Sequence, residues 1–348
     1  MDYSSEEEFD NYIHDRLVEQ RTITTRKVIR DFQNPFDFYS SEEFRRRYRF
    51  SKDIVHSVIL PMVTDSDLLT RRGLPVPPIY QLIVTLRFYA TGNFQMVTGD
   101  LIQLSQPTVS RIVKKVSRLI CFKIRQFIKF PSNLEMIKQQ FYGISHFPGI
   151  IGAVDGTHIP IQNPGGPHAE VYRNRKKFFS INTQIVCGPY LEIYDIVADR
   201  PGSVHDNRIF QDSLLKRKFE EGTLDGILLG DSGYSCQTYL LTPVLQTETI
   251  HEENYNKAHI KTRNTVERTI GVWKRIFPCL SKKMATNLTT TCHIIVATAI
   301  LYNILRHYGI PEIIGEERNY QHLNHGTQRR EESSSGLLFR RMFIIRHF

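Results

Sequence analysis

The chain has 348 residues, with 45 Lys+Arg against 36 Asp+Glu for a formal charge of +9; 41% of it is hydrophobic and 23% charged. This composition excludes a fibrous, collagen-like or wholly disordered protein, and at about 100–200 residues per domain the length predicts two domains. The cysteines (Cys121, Cys187, Cys236, Cys279, Cys292) are odd in number and widely separated, without a Cys-x-x-Cys pair, which argues against a disulfide framework or a zinc ribbon.

Residues 1–45 read as an acidic and polar N-terminal segment, opening with Asp2, Glu6, Glu7, Glu8 and Asp10 and no basic residue before Arg16. Neither a basic n-region nor an apolar h-region is present there. No uncharged apolar stretch is expected to approach the span length of about 18 residues, so the chain reads as soluble and intracellular, without a membrane.

Residues 46–146 carry helical spacing. Ile54, Val58, Ile59 and Met62 share one face, Leu82, Leu86 and Tyr89 another, and Pro75, Pro77 and Pro78 mark the connection. From residue 94 to 120, Val97, Leu101 and Leu104 suggest a short helix, and Ser105-Gln106-Pro107 a cap with proline in the first turn. Val109, Ile112, Val113, Val116 and Ile120 follow as a core stripe. Thr108, Ser110, Arg111, Lys114, Lys115 and Arg118 lie opposite, as in a helix-turn-helix that reads DNA, with Thr108, Ser110, Arg111 and Lys114 as contacts. The plainer alternative is a basic amphipathic packing helix.

In the next stretch, 147–310, short apolar runs replace helical spacing: Ile150–Val154, Ile181–Cys187, Ile193–Ala198 and Ile227–Leu229, each bounded by turn formers. Gly188-Pro189 predicts a hairpin between the second and third, and residues 207–221 are helical in composition. The order is that of an α/β protein. Residues 311–348 are expected to form a loose tail.

Two of these strands run into carboxylates, Asp155 after IIGAV and Asp231 in LLGDSGY. An acid at the end of a buried strand costs free energy unless it is paired, hydrogen-bonded or metal-bound, although Asp before Gly or Ser is also ordinary turn chemistry. Glu267 in RNTVERTIGVWKRIF sits beside a stripe of Val266, Ile270, Trp273 and Phe277, one turn after Arg263. Alone it reads as an i,i+4 surface pair; together the three acids suit Mg²⁺ or Mn²⁺ and two-metal phosphodiester cleavage.

The strings DGTHIPI from Asp155, YRNRKKFFSIN from Tyr172, PGSVHDNRIF from Pro201, LLGDSGY from Leu228, LLTP from Leu240 and RNTVERTIGVWKRIF from Arg263 resemble, in this order, the PIF/Harbinger transposases and the nucleases derived from them. The resemblance implies a ribonuclease H-like catalytic domain with a mixed sheet, preceded by the helical region. It implies a DDE triad of Asp155, Asp231 and Glu267 holding a divalent metal cation, with Asp206 as a further metal ligand. Asp206 also reads simply as a helix N-cap. Arg173, Arg175, Lys176 and Arg263 become candidates for gripping the DNA backbone. The family also implies a Myb-like DNA-binding partner protein and residence in the nucleus, with the cytoplasm as a further compartment; homo-oligomerisation is left open. Two positions depart from the pattern: Gly188 stands where relatives usually have an acid, and Lys177 where a glycine is common.

The GDSGY string also resembles the nucleophile region of serine proteases, but such enzymes need a separate His and acid and are secreted and disulfide-bonded. A metal-dependent nuclease or strand-transfer enzyme is the leading reading. A domesticated DNA-binding or scaffold protein that has lost cleavage is the alternative, and a small phosphate-ester hydrolase would leave the basic helices unexplained.

Overall fold

The computed structural model describes residues 34–64, 76–93, 104–309 and 333–348. Contacts divide the chain into the units Met1–Phe38 and Tyr39–Phe348. The described part of the first is a single turn, Pro35–Phe38, in which the Asn34 side chain accepts from the Phe36 amide and donates to Asp37.

The second unit opens with helices. They are α1 (Ser41–Tyr48), α2 (Lys52–Ile54, a π-helical turn Val55–Ile59, then Leu60–Thr64), α3 (Pro78–Thr91), α4 (Gln106–Cys121) and α5 (Leu134–Ser145). Ser40 and Glu43 form a reciprocal capping box on α1. Within the basic run RRRYRF, Arg49 turns inward: its guanidinium donates to the Ile276 carbonyl at 3.0 Å and the Ala90 carbonyl at 2.9 Å. Part of that run therefore ties carbonyls at two helix ends rather than facing solvent. On α4 the predicted stripe Val109, Ile112, Val113, Val116 and Ile120 is buried, and Ser117 in the same face bonds Tyr89 of α3 at 2.6 Å.

The sheet comprises β1 (Ile150–Pro160), β2 (Ser180–Cys187), β3 (Ile193–Pro201), β4 (Ile227–Leu229) and β5 (Leu240–Leu241). Between β3 and β4 lie α6 (Asp206–Gln211) and α7 (Leu214–Glu220); after β5 come α8 (Ile250–Ile276), α9 (Leu288–Tyr308) and α10 (Ser334–His347). The helix predicted over 207–221 is thus two, because Ser213 caps a new start by accepting from the Lys216 amide.

Strand order is β3-β2-β1-β4-β5. The first three strands are antiparallel neighbours, whereas β4 and β5 run parallel to β1. This mixed α/β sheet with helices around it is consistent with the ribonuclease H-like fold. Along β1 the five residues from Ile150 to Val154 are buried, and β2 is buried throughout, as strands covered on both faces must be. Asn303 of α9 holds β3 through both backbone groups of Ile193, at 2.9 and 2.7 Å.

Both departures from the family pattern have local causes. Lys177 has φ 67° and closes a tight hairpin in which Asn174 and Phe178 pair and Arg173 bridges Phe179. That left-handed position is one glycine occupies without steric cost. At Gly188 an added Cβ would stand 2.2 Å from the Tyr194 ring, so no side chain fits while Tyr194 holds its place.

Two expectations need correction. The helix α9 is an apolar 21-residue stretch with the length and composition of a membrane span, but most of it is core, packed on α4 and β3, and its apolarity serves burial inside this unit. The tail is not loose throughout: α10 docks, burying Phe343 and Ile344, with Phe343 stacked on Phe147 at 5.5 Å. Gly336 makes the docking close, since a Cβ there would meet the Cys236 carbonyl oxygen at 2.2 Å. All five cysteines are free thiols.

Candidate active site

Asp155 lies in the middle of β1 rather than at its end. Pairing with β4 stops at Ala153, whereas pairing with β2 continues to Pro160. Between Ala153 and the next pairing on that side, with Met284 at Pro160, the strand has no strand partner on this flank among the described residues, and Asp231, two residues beyond the end of β4 at Leu229, lies near enough for its charge to act on Asp155. Asp231 folds back onto its own loop, its Oδ1 accepting from the Gly233 amide at 2.7 Å. A Cβ at residue 233 would come within 2.5 Å of that oxygen, so glycine is needed for the turn.

From α8, which packs on β1 and β2, Arg263 links two of the predicted acids. One guanidinium nitrogen stands 3.4 Å from Asp155 Oδ2 and another bonds Glu267 Oε1. The three side chains are only 19%, 13% and 21% exposed for Asp155, Arg263 and Glu267. Burial pushes the Asp155 carboxyl up to about 7; Arg263 opposes the rise, and the charges of Asp231 and Asp206 add to it. Tyr234, buried beneath the acids and within 3.4 Å of Gln184 Oε1, is held well above the ordinary phenol range by burial and by the same three aspartates.

Asp206 approaches differently. Its N-cap neighbour is His205, and Asp206 itself is the first residue of α6, so the N-cap reading shifts by one position. Its carboxylate accepts from Asn182 Nδ2 at 2.8 Å and lies where a Cβ on Gly156 would be, 2.2 Å away. Because successive strand residues point to opposite faces, this carboxylate sits across β1 from the side chain of Asp155, close enough to repel its charge.

The helix carrying Glu267 contributes a residue that the sequence reading left out. Lys274, seven residues and two turns further along the same face, donates to Thr157 Oγ1 at 2.6 Å and to the His158 carbonyl at 3.0 Å. Burial, with Lys176 nearby, brings its ammonium down to about 8. The signal was present in the spacing from Glu267, hidden in a run of basic residues.

The predicted DNA contacts fall into two groups. Arg111 and Lys114 are exposed on α4, Thr108 and Ser110 half-buried beside them; Arg111 also bonds the Pro107 carbonyl at 3.1 Å. Val97 and Leu101 of the first predicted helix lie outside the described residues, and Leu104 is not helical. In the hairpin loop Lys176 is exposed and Arg175 pairs with His205. Arg173 is engaged internally, forked onto Glu170 at 2.7 and 3.0 Å and stacked over Phe179. Arg263 is likewise spent on the acids. Among the described residues no group of three or more His, Cys, Asp or Glu is gathered to hold an ion. The donor chemistry nonetheless fits a hard divalent cation: an all-oxygen set, partly buried, in which Arg263 is the main relief of the charge on Asp155 and the Gly156 amide a lesser one.

Residues 154–303 match the model of the DDE superfamily endonuclease family. The chain is 34% identical over 281 residues to the Rattus norvegicus protein named "Putative nuclease HARBI1", covering 79% of this chain and 80% of that one. The Homo sapiens protein of the same name is 32% identical over the same coverage. "Protein ALP1-like" of Arabidopsis thaliana is 27% identical over 250 residues, 67% of this chain and 62% of its own. No solved structure matches the chain. With the family model matched over residues 154–303 and relatives matched over most of their length, the chain belongs to the Harbinger transposase-derived nucleases of the DDE endonuclease superfamily.

Proposed function

We propose that this chain is a divalent-metal-dependent nuclease that hydrolyses or transfers DNA phosphodiester bonds, with Asp155, Asp231 and Glu267 as its metal-holding acids and Asp206 as an accessory acid. The observation that carries this reading is the Arg263 bridge between Asp155 and Glu267, with Asp231 near enough for its charge to act on Asp155. A bound Mg²⁺ or Mn²⁺ pair would supply a metal-activated water and stabilise the charge that develops on the leaving oxygen. Arg263 here neutralises the acids; once cations take over that role, its guanidinium suits a scissile phosphate. Lys274, Lys176 and Arg175 supply further positive charge beside β1, and exposed Arg111 and Lys114 on α4 suit a flanking duplex.

Nicking of supercoiled DNA in Mg²⁺ or Mn²⁺ tests this. Wild type is expected to cleave only with metal, and Asp155→Ala and Glu267→Ala to fall at least a hundredfold; equal cleavage by all three sinks the assignment. Calorimetric titration with Mn²⁺ alone separates lost metal from lost turnover. The second reading, a DNA-binding or scaffold protein without cleavage, predicts salt-dependent DNA binding and no nicking on any substrate. In either case we expect nuclear residence and a Myb-like DNA-binding partner protein. Homo-oligomerisation is decided by light scattering.

A further inference from the structure

The helix α10 carries large apolar residues on two opposite faces. Its inner face, Gly336, Phe343 and Ile344, is buried against the core that contains Phe147, Cys236 and Tyr255, with Phe339 and Phe348 packed at the margin. On the outer face Leu338, Met342 and Ile345 are 62%, 62% and 67% exposed. Their spacing, i, i+4 and i+7, makes one continuous stripe on the side opposite Phe343. A helix held by one face has no structural need for large apolar residues on the other, where polar residues would serve as well.

Charge says what would cover the stripe. Helical geometry places Arg341 on one side of it and Arg346 on the other, both exposed, and the helix contains no acidic residue. Neither arginine has an ion-pair partner among the described residues, whereas Arg340, on the inner side, is occupied by Thr242 and Pro243. A second copy of the same face would set these arginines against each other in an isologous contact, which is repulsive. An apolar ridge between two guanidinium rows instead complements an amphipathic helix with apolar residues along one face and carboxylates on its borders.

We propose that the outer face of α10 is a protein-docking surface for an acidic amphipathic helix of a partner protein, anchored by Leu338, Met342 and Ile345 and oriented by Arg341 and Arg346. The surface is independent of the nuclease acids, so its test does not depend on cleavage. The anchors are exposed in the free protein, and their substitution leaves the core intact.

The experiment uses the full chain and two fluorescent 18-residue helical peptides with the same leucine face, one bordered by glutamates and the other by lysines. Anisotropy titration is expected to show the glutamate peptide binding at least tenfold more tightly. Leu338→Glu and Met342→Glu should each weaken that binding at least tenfold with unchanged thermal unfolding, and the double variant Arg341→Glu/Arg346→Glu should reverse the preference between peptides. No binding, equal binding of the two peptides, or binding indifferent to the stripe variants overturns the proposal. So does a wild-type dimer in sedimentation that Met342→Glu abolishes, which assigns the face to a second copy, or capture of the wild type by phosphatidylserine vesicles in place of the peptide, which assigns it to a membrane surface.

Discussion

His259 shows how a single buried side chain sets a condition on the whole protein. It is fully buried on α8, bonded through Nε2 to the Leu241 carbonyl at 3.2 Å, while its Nδ1 has no partner among the described residues, as suits a neutral ring. Burial, reinforced by the charges of Arg263 and Arg340, brings its pKa down to about 3. An unfolded histidine titrates near about 6.5, so below that pH the unfolded chain gains a proton that the folded chain refuses. Stability from this group is complete above pH about 6.5 and is lost as pH falls, by about 1.4 kcal/mol per unit. Asp155 and Asp195, raised by burial to about 7 and about 6, act in the opposite sense. The histidine is therefore isolated by difference. Urea unfolding of wild type minus His259→Gln should shift by about 2 kcal/mol against the wild type between pH 7 and pH 5; parallel pH profiles would exclude the role.

Backbone strain belongs to the same scale. Lys177 in the left-handed region costs about 1–2 kcal/mol relative to glycine. Part of that is offset by glycine's larger entropy when unfolded, so Lys177→Gly should stabilise by about 0.5–1 kcal/mol, seen as a higher Tm. Gly188→Ala should do the reverse and cost about 1–3 kcal/mol, because its methyl would drive into Tyr194.

At the level of elements, α8 is the one that makes the site. Its residues 263, 267 and 274 fall on one side at helical spacing, so one rigid rod presents a guanidinium, a carboxylate and an ammonium to the open flank of β1. Lys274→Ala should lower DNA affinity and nicking about tenfold, and Lys274→Arg should recover part of the affinity; a Kd and a cleavage rate both unchanged in Lys274→Ala would remove it from the site. Much of this was legible in the residues. Apolar runs ending in turn formers marked β1 to β4, and Gly188-Pro189 marked the hairpin, because short buried strands and tight turns are local in sequence. The acids of β1 and β4 stood out since charge in a buried run is costly. What escaped was non-local. That β1 continues past Asp155 depends on β2 supplying five more paired positions, from Gln184 down to Ser180, which no local pattern in HIPI announces. The internal use of Arg263 depended on Asp155, a partner that only the fold identifies, whereas the i,i+3 pair of Glu170 and Arg173 was local and was passed over.

At the scale of the molecule, the C-terminal helix decides how the catalytic unit is closed. Phe147, which leads into β1, is fully buried, and much of its cover comes from the far end of the chain: Phe343 at 5.5 Å and Phe348 at 5.2 Å between ring centres. Phe348 also meets Tyr255 of α8 at 5.6 Å, so one aromatic cluster joins the first strand's approach, the helix bearing Glu267 and the last residue. A buried phenylalanine replaced by alanine costs about 3–5 kcal/mol. Phe343→Ala should therefore lower stability by about 3 kcal/mol, and removal of residues 333–348 by at least as much, since Ile344 and Phe348 go with it. The outer stripe predicts the contrast: Leu338→Ala should change stability by less than about 0.5 kcal/mol. Thermal and urea unfolding of the three proteins, side by side, decide the matter. If truncation left Tm unchanged, α10 would not be part of the core that holds Phe147. If Leu338→Ala cost as much as Phe343→Ala, the stripe would be internal packing and the docking surface would go with it.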